Sequence, residues 1–151
     1  MKRIHSALLI AVAVAIGLLS TGVRDANAVS FFKKGFAARY VKEKPSTDGE
    51  KALAAAYAER KCYTCHVKGK DENGKKISKK VHNAYGVALA KLIKKKDFTS
   101  EKRAADPDKA KATVQAALEK VEGMKVDASK ADSPTWGDLL KKGKLAENKK
   151  P

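Results

Sequence analysis

The hydrophobic pattern of this chain is helical: apolar residues recur every three to four positions in several stretches, and no stretch alternates as a strand would. The clearest stretch starts at Asp106-Pro107, an N-cap residue followed by proline at the first helical position, and stops at Gly123. The pattern predicts one long amphipathic helix. Its apolar face consists of Ala110, Val114, Ala117, Leu118 and Val121.

A second helix is predicted from residue 47 to about residue 60. Thr47 and Glu50 have the spacing of a capping box, and the alanine-rich run behind them has a high helix propensity. This helix leads directly to Cys62. Residues 67–80 are polar and include Gly69 and Gly74, which predicts a loop.

Two shorter helices complete the predicted domain, residues 47–143. The segment Val81–Gly86 opens the first, and Lys94–Lys96 would close it with cations at its C-terminus. Its apolar positions are Tyr85, Leu89, Leu92 and Ile93. Ser133-Pro134 repeats the cap-plus-proline start and predicts a last helix that stops at Gly143, followed by a charged flexible tail, residues 144–151.

The first 28 residues have the pattern of a secretory signal peptide. A basic start is followed by an apolar run over residues 7–19 and by the cleavage pattern Ala26-Asn27-Ala28. The apolar run is shorter than the roughly 20 residues of a spanning helix, although an uncleaved membrane anchor is the alternative. We therefore expect export to the periplasm or an equivalent compartment outside the cytoplasm.

Residues 29–46 form a basic, aromatic N-terminal arm. Phe32, Phe36 and Tyr40 recur at spacing four, as on one face of a helix, and Pro45 ends the segment. The arm is expected to pack on the domain as an additional helix. The alternative is an amphipathic element that docks on a membrane or a partner.

The chemistry of the chain is concentrated in Cys62-Tyr63-Thr64-Cys65-His66, a C-x-x-C-H motif. This is the signature of covalent c-type haem attachment, in which two thiols bond to the haem and the histidine binds its iron. A thioredoxin-like redox site would need a βαβ pattern, which is missing. A zinc site usually needs four ligands. This chain has only two cysteines, and its histidines do not have the spacing that a Cys₂His₂ site would need.

With this motif at the end of a helix, the chain resembles a small class I monohaem cytochrome c. Val81–Gly86 is similar to the short glycine- and aromatic-containing segment that follows the haem loop in that family. The resemblance implies an all-α, cytochrome c-like fold of about four helices packed around one covalently attached haem c. It also implies an electron carrier in which Cys62 and Cys65 attach the haem, His66 is the proximal iron ligand and a methionine is the sixth ligand.

The sixth ligand of the iron has two candidates after the predicted signal peptide. Met124 follows His66 at a distance in sequence that lets it reach the opposite haem face, and it is the first candidate. His82 is the alternative. An open or displaceable position would instead permit binding of NO, CO or peroxide, which would make the protein a gas-binding or sensor protein.

The chain is strongly basic, with 33 Lys and Arg against 17 Asp and Glu and a formal net charge of +16. Such a charge attracts an acidic redox partner protein or an anionic membrane surface. Nucleic acid is not an expected partner of an exported protein. The sequence contains no Ser-His-Asp set, paired carboxylates or P-loop, so we expect a carrier and not an enzyme. The lysines nearest the motif are Lys68, Lys70, Lys75, Lys76, Lys79 and Lys80.

Overall fold

The computed structural model describes residues 26–93 and 98–151, and within these ranges the chain is mostly helical and has no strands, which confirms the all-α prediction. The helices are α1 (Ala26–Tyr40), α2 (Asp48–Arg60), α3 (Ala84–Leu92), α4 (Ser100–Ala105), α5 (Pro107–Glu122) and α6 (Trp136–Lys141). A 3₁₀ turn, Lys61–Thr64, follows α2. In these ranges no helix has the length and apolar character that a bilayer crossing requires.

Two predicted features lie largely outside the described residues. They are residues 1–25, which make up most of the predicted signal peptide, and the lysines at 94–96. Helix α1 begins at Ala26 and therefore runs through the predicted cleavage position after Ala28. Cleavage and export stay predictions.

Helices α2 and α5 form where the sequence predicts them. The Thr47 hydroxyl accepts a hydrogen bond from the Glu50 N–H, and the Glu50 carboxylate accepts one from the Thr47 N–H, so the capping box is complete. The Asp106 side chain accepts from the Lys109 N–H at 2.9 Å and caps α5. The predicted apolar face of α5 is buried along its whole length.

The last helix starts later than predicted. Thr135, not Ser133, caps α6, because Thr135 and Asp138 form a reciprocal capping box and the Pro134 carbonyl is held by the Val126 N–H at 2.9 Å. Helix α4, whose N-cap is Thr99, was not predicted from the sequence.

Helix α3 is shorter than predicted at its start. It begins at Ala84 with Asn83 as its N-cap, so Val81 and His82 precede the helix and are not part of it. Tyr85 and Leu89 are buried, whereas Leu92, expected on the same face, is 39% exposed.

The core forms around α5, and α1 packs directly against it. Phe36 of α1 is 2% exposed and Val114 of α5 is fully buried. The Tyr40 hydroxyl donates to the Leu118 carbonyl at 3.1 Å, and the Gln115 amide donates to the Gly35 carbonyl at 3.1 Å. The aromatic face of the arm therefore contributes to the core.

The predicted tail is anchored at its start. Ala146 is buried, and its carbonyl accepts a hydrogen bond from the Arg60 guanidinium. The Asn148 amide pairs with the backbone of Lys68, accepting from its N–H at 2.7 Å and donating to its carbonyl at 2.8 Å. This end of the chain therefore holds the loop that follows the C-x-x-C-H motif.

Candidate functional site

The C-x-x-C-H motif lies in the tight turn that ends α2. Lys61 has a φ of 50°, which is a left-handed conformation for a residue with a side chain, and the chain then enters the 3₁₀ turn. The Cys65 N–H donates to the Cys62 carbonyl across this turn at 3.4 Å. The turn brings both cysteines and the following histidine to one wall of a cavity.

This cavity has a volume of about 300 Å³, is partly open to solvent and is mainly apolar. Its size is at the lower end for small-molecule sites. Helices α1, α2 and α3 and the segment around Phe98 all contribute to its walls. It is lined by Phe32, Lys33, Phe36, Tyr57, Lys61, Cys62, Thr64, Cys65, His66, His82, Gly86, Leu89, Ala90, Ile93 and Phe98.

The two cysteines face this cavity without forming a disulfide. Burial, and to a smaller extent the neighbouring Cys62, raises the pKa of the Cys65 thiol to about 12. Cys65 is therefore a neutral thiol at physiological pH, because a thiolate would be poorly solvated there.

His66 stacks on His82. The ring centroids are 4.7 Å apart with an angle of 30° between the planes, and the backbones of the two residues form an antiparallel bridge. Burial is the main cause that lowers the pKa of His66, and the neighbouring His82 lowers it further. Both effects favour the neutral imidazole, which is the form that binds metals.

The His66 Nδ1 atom is buried and makes no hydrogen bond of normal distance and angle. Backbone acceptors at Val81 and Lys79 are near enough to raise the pKa of His66, against the larger effect of burial. Neither acceptor forms a hydrogen bond of normal geometry with Nδ1, which is thus a buried polar atom without a hydrogen-bond partner. Such atoms are rare and costly in folded proteins.

The two candidates for a sixth ligand have different positions. His82 lines the cavity, whereas Met124 does not. Met124 is half-buried against the core just after α5, where its N–H donates to the Val121 carbonyl and its carbonyl accepts from the Trp136 N–H, both at 2.9 Å. The structure thus brings Cys62, Cys65, His66 and His82 together and leaves Met124 elsewhere.

Two residues of the site were not singled out from the sequence. Asn83 is fully buried next to the motif, and Gly86 contacts the Cys65 carbonyl so closely that a Cβ atom would overlap it. The available signal was local, because an asparagine just before a helical run is an N-cap pattern. The motif carbonyls to which Asn83 donates belong to residues 18 to 20 positions earlier in the chain, and no local sequence pattern reveals this contact.

Residues 26–93 and 98–151 contain no group of three or more His, Cys, Asp or Glu side chains placed to hold a metal ion by themselves. No protein-family model, curated protein or solved structure matches the chain.

Proposed function

We propose that this protein is an exported c-type cytochrome that carries single electrons between redox partners. The observation that carries the proposal is that Cys62, Cys65 and His66 line one apolar cavity. In this proposal the two cysteines hold one haem c by thioether bonds and His66 is its proximal iron ligand. The fold would then be a cytochrome c-like arrangement of helices around the haem.

Three features of the cavity fit such a group. Its walls are largely aromatic and aliphatic, as a macrocycle requires. Both sulfurs are unpaired, so they are chemically available for attachment. The imidazole of His66 is held in an environment that favours its neutral form. The residues present therefore fit a covalently held haem.

When bound, the haem would supply a one-electron iron couple. The chain has two tasks in such a carrier, which are to hold the imidazole in one orientation and to keep water from the apolar walls. The stack of His66 on His82 serves the first task. Phe36 and Leu89, both buried, serve the second.

Met124 and His82 remain the proposed alternatives for the distal ligand. His82 already lines the cavity, but its ring lies alongside His66. Met124 would have to leave the contact with α6 that its backbone makes. The ferric absorption band at long wavelength that Met–iron coordination produces should be lost in Met124→Leu and kept in His82→Gln if Met124 is the ligand.

An acidic redox protein is the proposed partner. Lys79 and Lys80 are exposed and come shortly before His82, and four further lysines of the loop are also exposed. Positive charge next to an electron-transfer site steers an acidic partner towards that site. An anionic membrane surface is the second partner class.

The experiment that tests the proposal is to produce the full chain in a host that attaches haem c. The purified protein is denatured and extracted with acidified acetone. We expect the red pigment to stay with the polypeptide and to be released from the double variant Cys62→Ala, Cys65→Ala. Tyr63→Phe, which changes the motif between the two cysteines, is the control and should keep it. A wild-type chain that releases its pigment, or never carries any, would overturn the proposal.

A haem-based gas-binding or sensor protein is the second candidate, and it is favoured by one observation. Apart from the two histidines, the cavity presents mostly apolar side chains, and Met124 is not among them. Reduced protein that binds CO readily at neutral pH would support an open or displaceable position. Reduced protein that does not react with CO would support the carrier.

A further inference from the structure

Asn83 is the most deeply buried polar residue next to the C-x-x-C-H motif, with 0% of its surface exposed. Its side-chain oxygen accepts a hydrogen bond from the Gly86 N–H at 3.0 Å and so caps α3. A cap requires only that acceptor. The amide group of Asn83 does more than this, because its nitrogen points away from α3 and towards the motif.

The hydrogen bonds of Asn83 reach three successive carbonyls of the motif. The side-chain nitrogen donates to the Thr64 carbonyl at 3.0 Å and, more weakly, to the Tyr63 carbonyl at 3.4 Å. The backbone N–H donates to the Cys65 carbonyl at 3.1 Å. These carbonyls lie just beyond the end of a helix, where no intrahelical donors exist. Asn83 therefore supplies the donors that this turn lacks.

Gly86 brings α3 against the same turn. A Cβ atom at residue 86 would overlap the Cys65 carbonyl oxygen, so only glycine permits this approach. The Val67 N–H continues the contact by donating to the Val81 carbonyl at 3.0 Å. The backbone on both sides of His66 is thereby bound to the segment that begins α3.

We propose that Asn83 is a positioning residue for His66: its amide fixes the backbone of residues 63–65 and thereby the orientation of the imidazole in the cavity. The inference rests on the proposed function, since an oriented imidazole matters when it binds iron. Groups that orient a metal-binding histidine control how well it binds. Here the control acts through the backbone of the motif and not through the imidazole itself.

The decisive variant is Asn83→Asp. Aspartate has the shape of asparagine and keeps an oxygen for the Gly86 N–H, but it loses both N–H donors and places a carboxylate against two carbonyl oxygens. Asn83→Ser is the second variant, because serine keeps a cap but is too short to reach the motif. Asp106→Ser is the matched control, since it changes another N-cap, that of α5, in the same way.

The first readout is NMR of the full chain without haem. The backbone ¹³C resonances of the Thr64 and Cys65 carbonyls and the ring ¹⁵N resonances of His66 should shift in Asn83→Asp and Asn83→Ser. The same resonances should stay at wild-type positions in Asp106→Ser. If they also stay in both Asn83 variants, the positioning role is wrong. If neither Asn83 variant folds while Asp106→Ser does, Asn83→Gly replaces them, because glycine is tolerated at an N-cap and removes the side-chain amide. Unchanged His66 resonances in that variant would equally overturn the role.

The second readout is the haem-loaded protein. The hyperfine-shifted resonances of ferric haem and His66 report the orientation of the axial imidazole, so their pattern should change in Asn83→Asp. A variant that is merely less stable would unfold at lower denaturant but keep the wild-type pattern, and this result would overturn the proposal. If the wild-type chain carries no haem, the proposed function fails, and the measurement on the haem-free chain still decides the role of Asn83.

Discussion

Glu50 is the residue on which the start of α2 depends. Its carboxylate pairs with Lys42 and accepts hydrogen bonds from the Ser46 N–H at 2.7 Å, the Ser46 hydroxyl at 2.9 Å and the Thr47 N–H at 3.3 Å. These partners, of which Lys42 has the largest effect, lower the pKa of Glu50 to about 2. All of them favour the charged carboxylate over the protonated acid.

The lowered pKa of Glu50 gives stability a defined dependence on pH. A carboxyl group with a lower pKa in the folded chain stabilises the fold above its usual value of 4.5, and this contribution disappears as the pH falls towards about 2. We expect Glu50→Gln to lower the melting temperature at pH 6 and to differ progressively less from wild type between pH 4.5 and pH 2. Thermal unfolding monitored by circular dichroism tests this, with Glu59→Gln on the same helix as the control. An equal difference at every pH would show that the ionised carboxylate is not what matters.

The residues proposed to hold the haem could be picked out from the sequence, but the residues that support them could not. Cys62, Cys65 and His66 form a contiguous motif, and the structure brings them to one cavity. Asn83 supports them from a different segment, and its local pattern is only that of a helix cap. A contact between two segments that are far apart in the chain requires tertiary structure.

At the scale of elements, the helices that were predicted correctly have complete signals within their own sequence. Helix α5 has a cap, a proline, a long apolar face and a glycine stop. Helix α4 has only six residues, too few for a periodic pattern, and its Arg103 is buried with a hydrogen bond to the Phe98 carbonyl at 2.7 Å. The start of α6 was misplaced because the proline signal at residue 134 competed with the capping box that begins at Thr135.

The packing of α2 against the residues that follow α6 depends on Gly143. A comparison with Gly74 separates the cost of backbone strain from the cost of steric overlap. Gly143 and Gly74 have nearly the same positive φ, 73° and 72°, but a Cβ atom at Gly143 would overlap Ala52, whereas one at Gly74 would meet nothing within 4 Å. Gly74→Ala should therefore cost only the backbone strain, about 1–2 kcal/mol. Gly143→Ala should cost a further ~1–3 kcal/mol from overpacking.

Unfolding by urea measures both free energies under the same conditions. The difference between the two variants, and not either value alone, reports the close approach of the helices. Equal costs for Gly143→Ala and Gly74→Ala would mean that α6 moves away from α2 without penalty.

At the scale of the whole molecule, the N-terminal arm and the end of the chain are parts of one structure with the predicted domain. The arm contributes Phe36 to the core and Phe32 to the cavity, and the end of the chain holds Lys68 through Asn148. The all-α class followed from periodicity alone. The surfaces that these two segments cover could not be predicted, because an apolar stripe on a helix does not indicate which surface it packs against.

The net charge of +16 is a property of the whole chain, but lysines at different positions need not affect a reaction at the cavity equally. Lys79 and Lys80 are exposed just before His82, which lines the cavity, whereas Lys141 and Lys142 lie at the end of α6, next to Gly49 at the start of α2. The motif follows the opposite end of that helix, which spans Asp48–Arg60. Since screening limits a surface charge to about 8–10 Å at moderate salt, only the first pair should act on the electron transfer that is proposed for the cavity.

The effects of these two lysine pairs can be compared in the haem-loaded protein. Lys79→Gln with Lys80→Gln should slow reduction by a small anionic reductant several-fold more than Lys141→Gln with Lys142→Gln, although both remove the same charge. The difference should shrink as the ionic strength rises and reverse its sign with a cationic reductant, because the effect is electrostatic. Stopped-flow measurement of the bimolecular rate constants tests this directly. Equal slowing by both pairs would mean that net charge alone governs the encounter, and the lysines beside the cavity would then have no special part in docking an acidic partner.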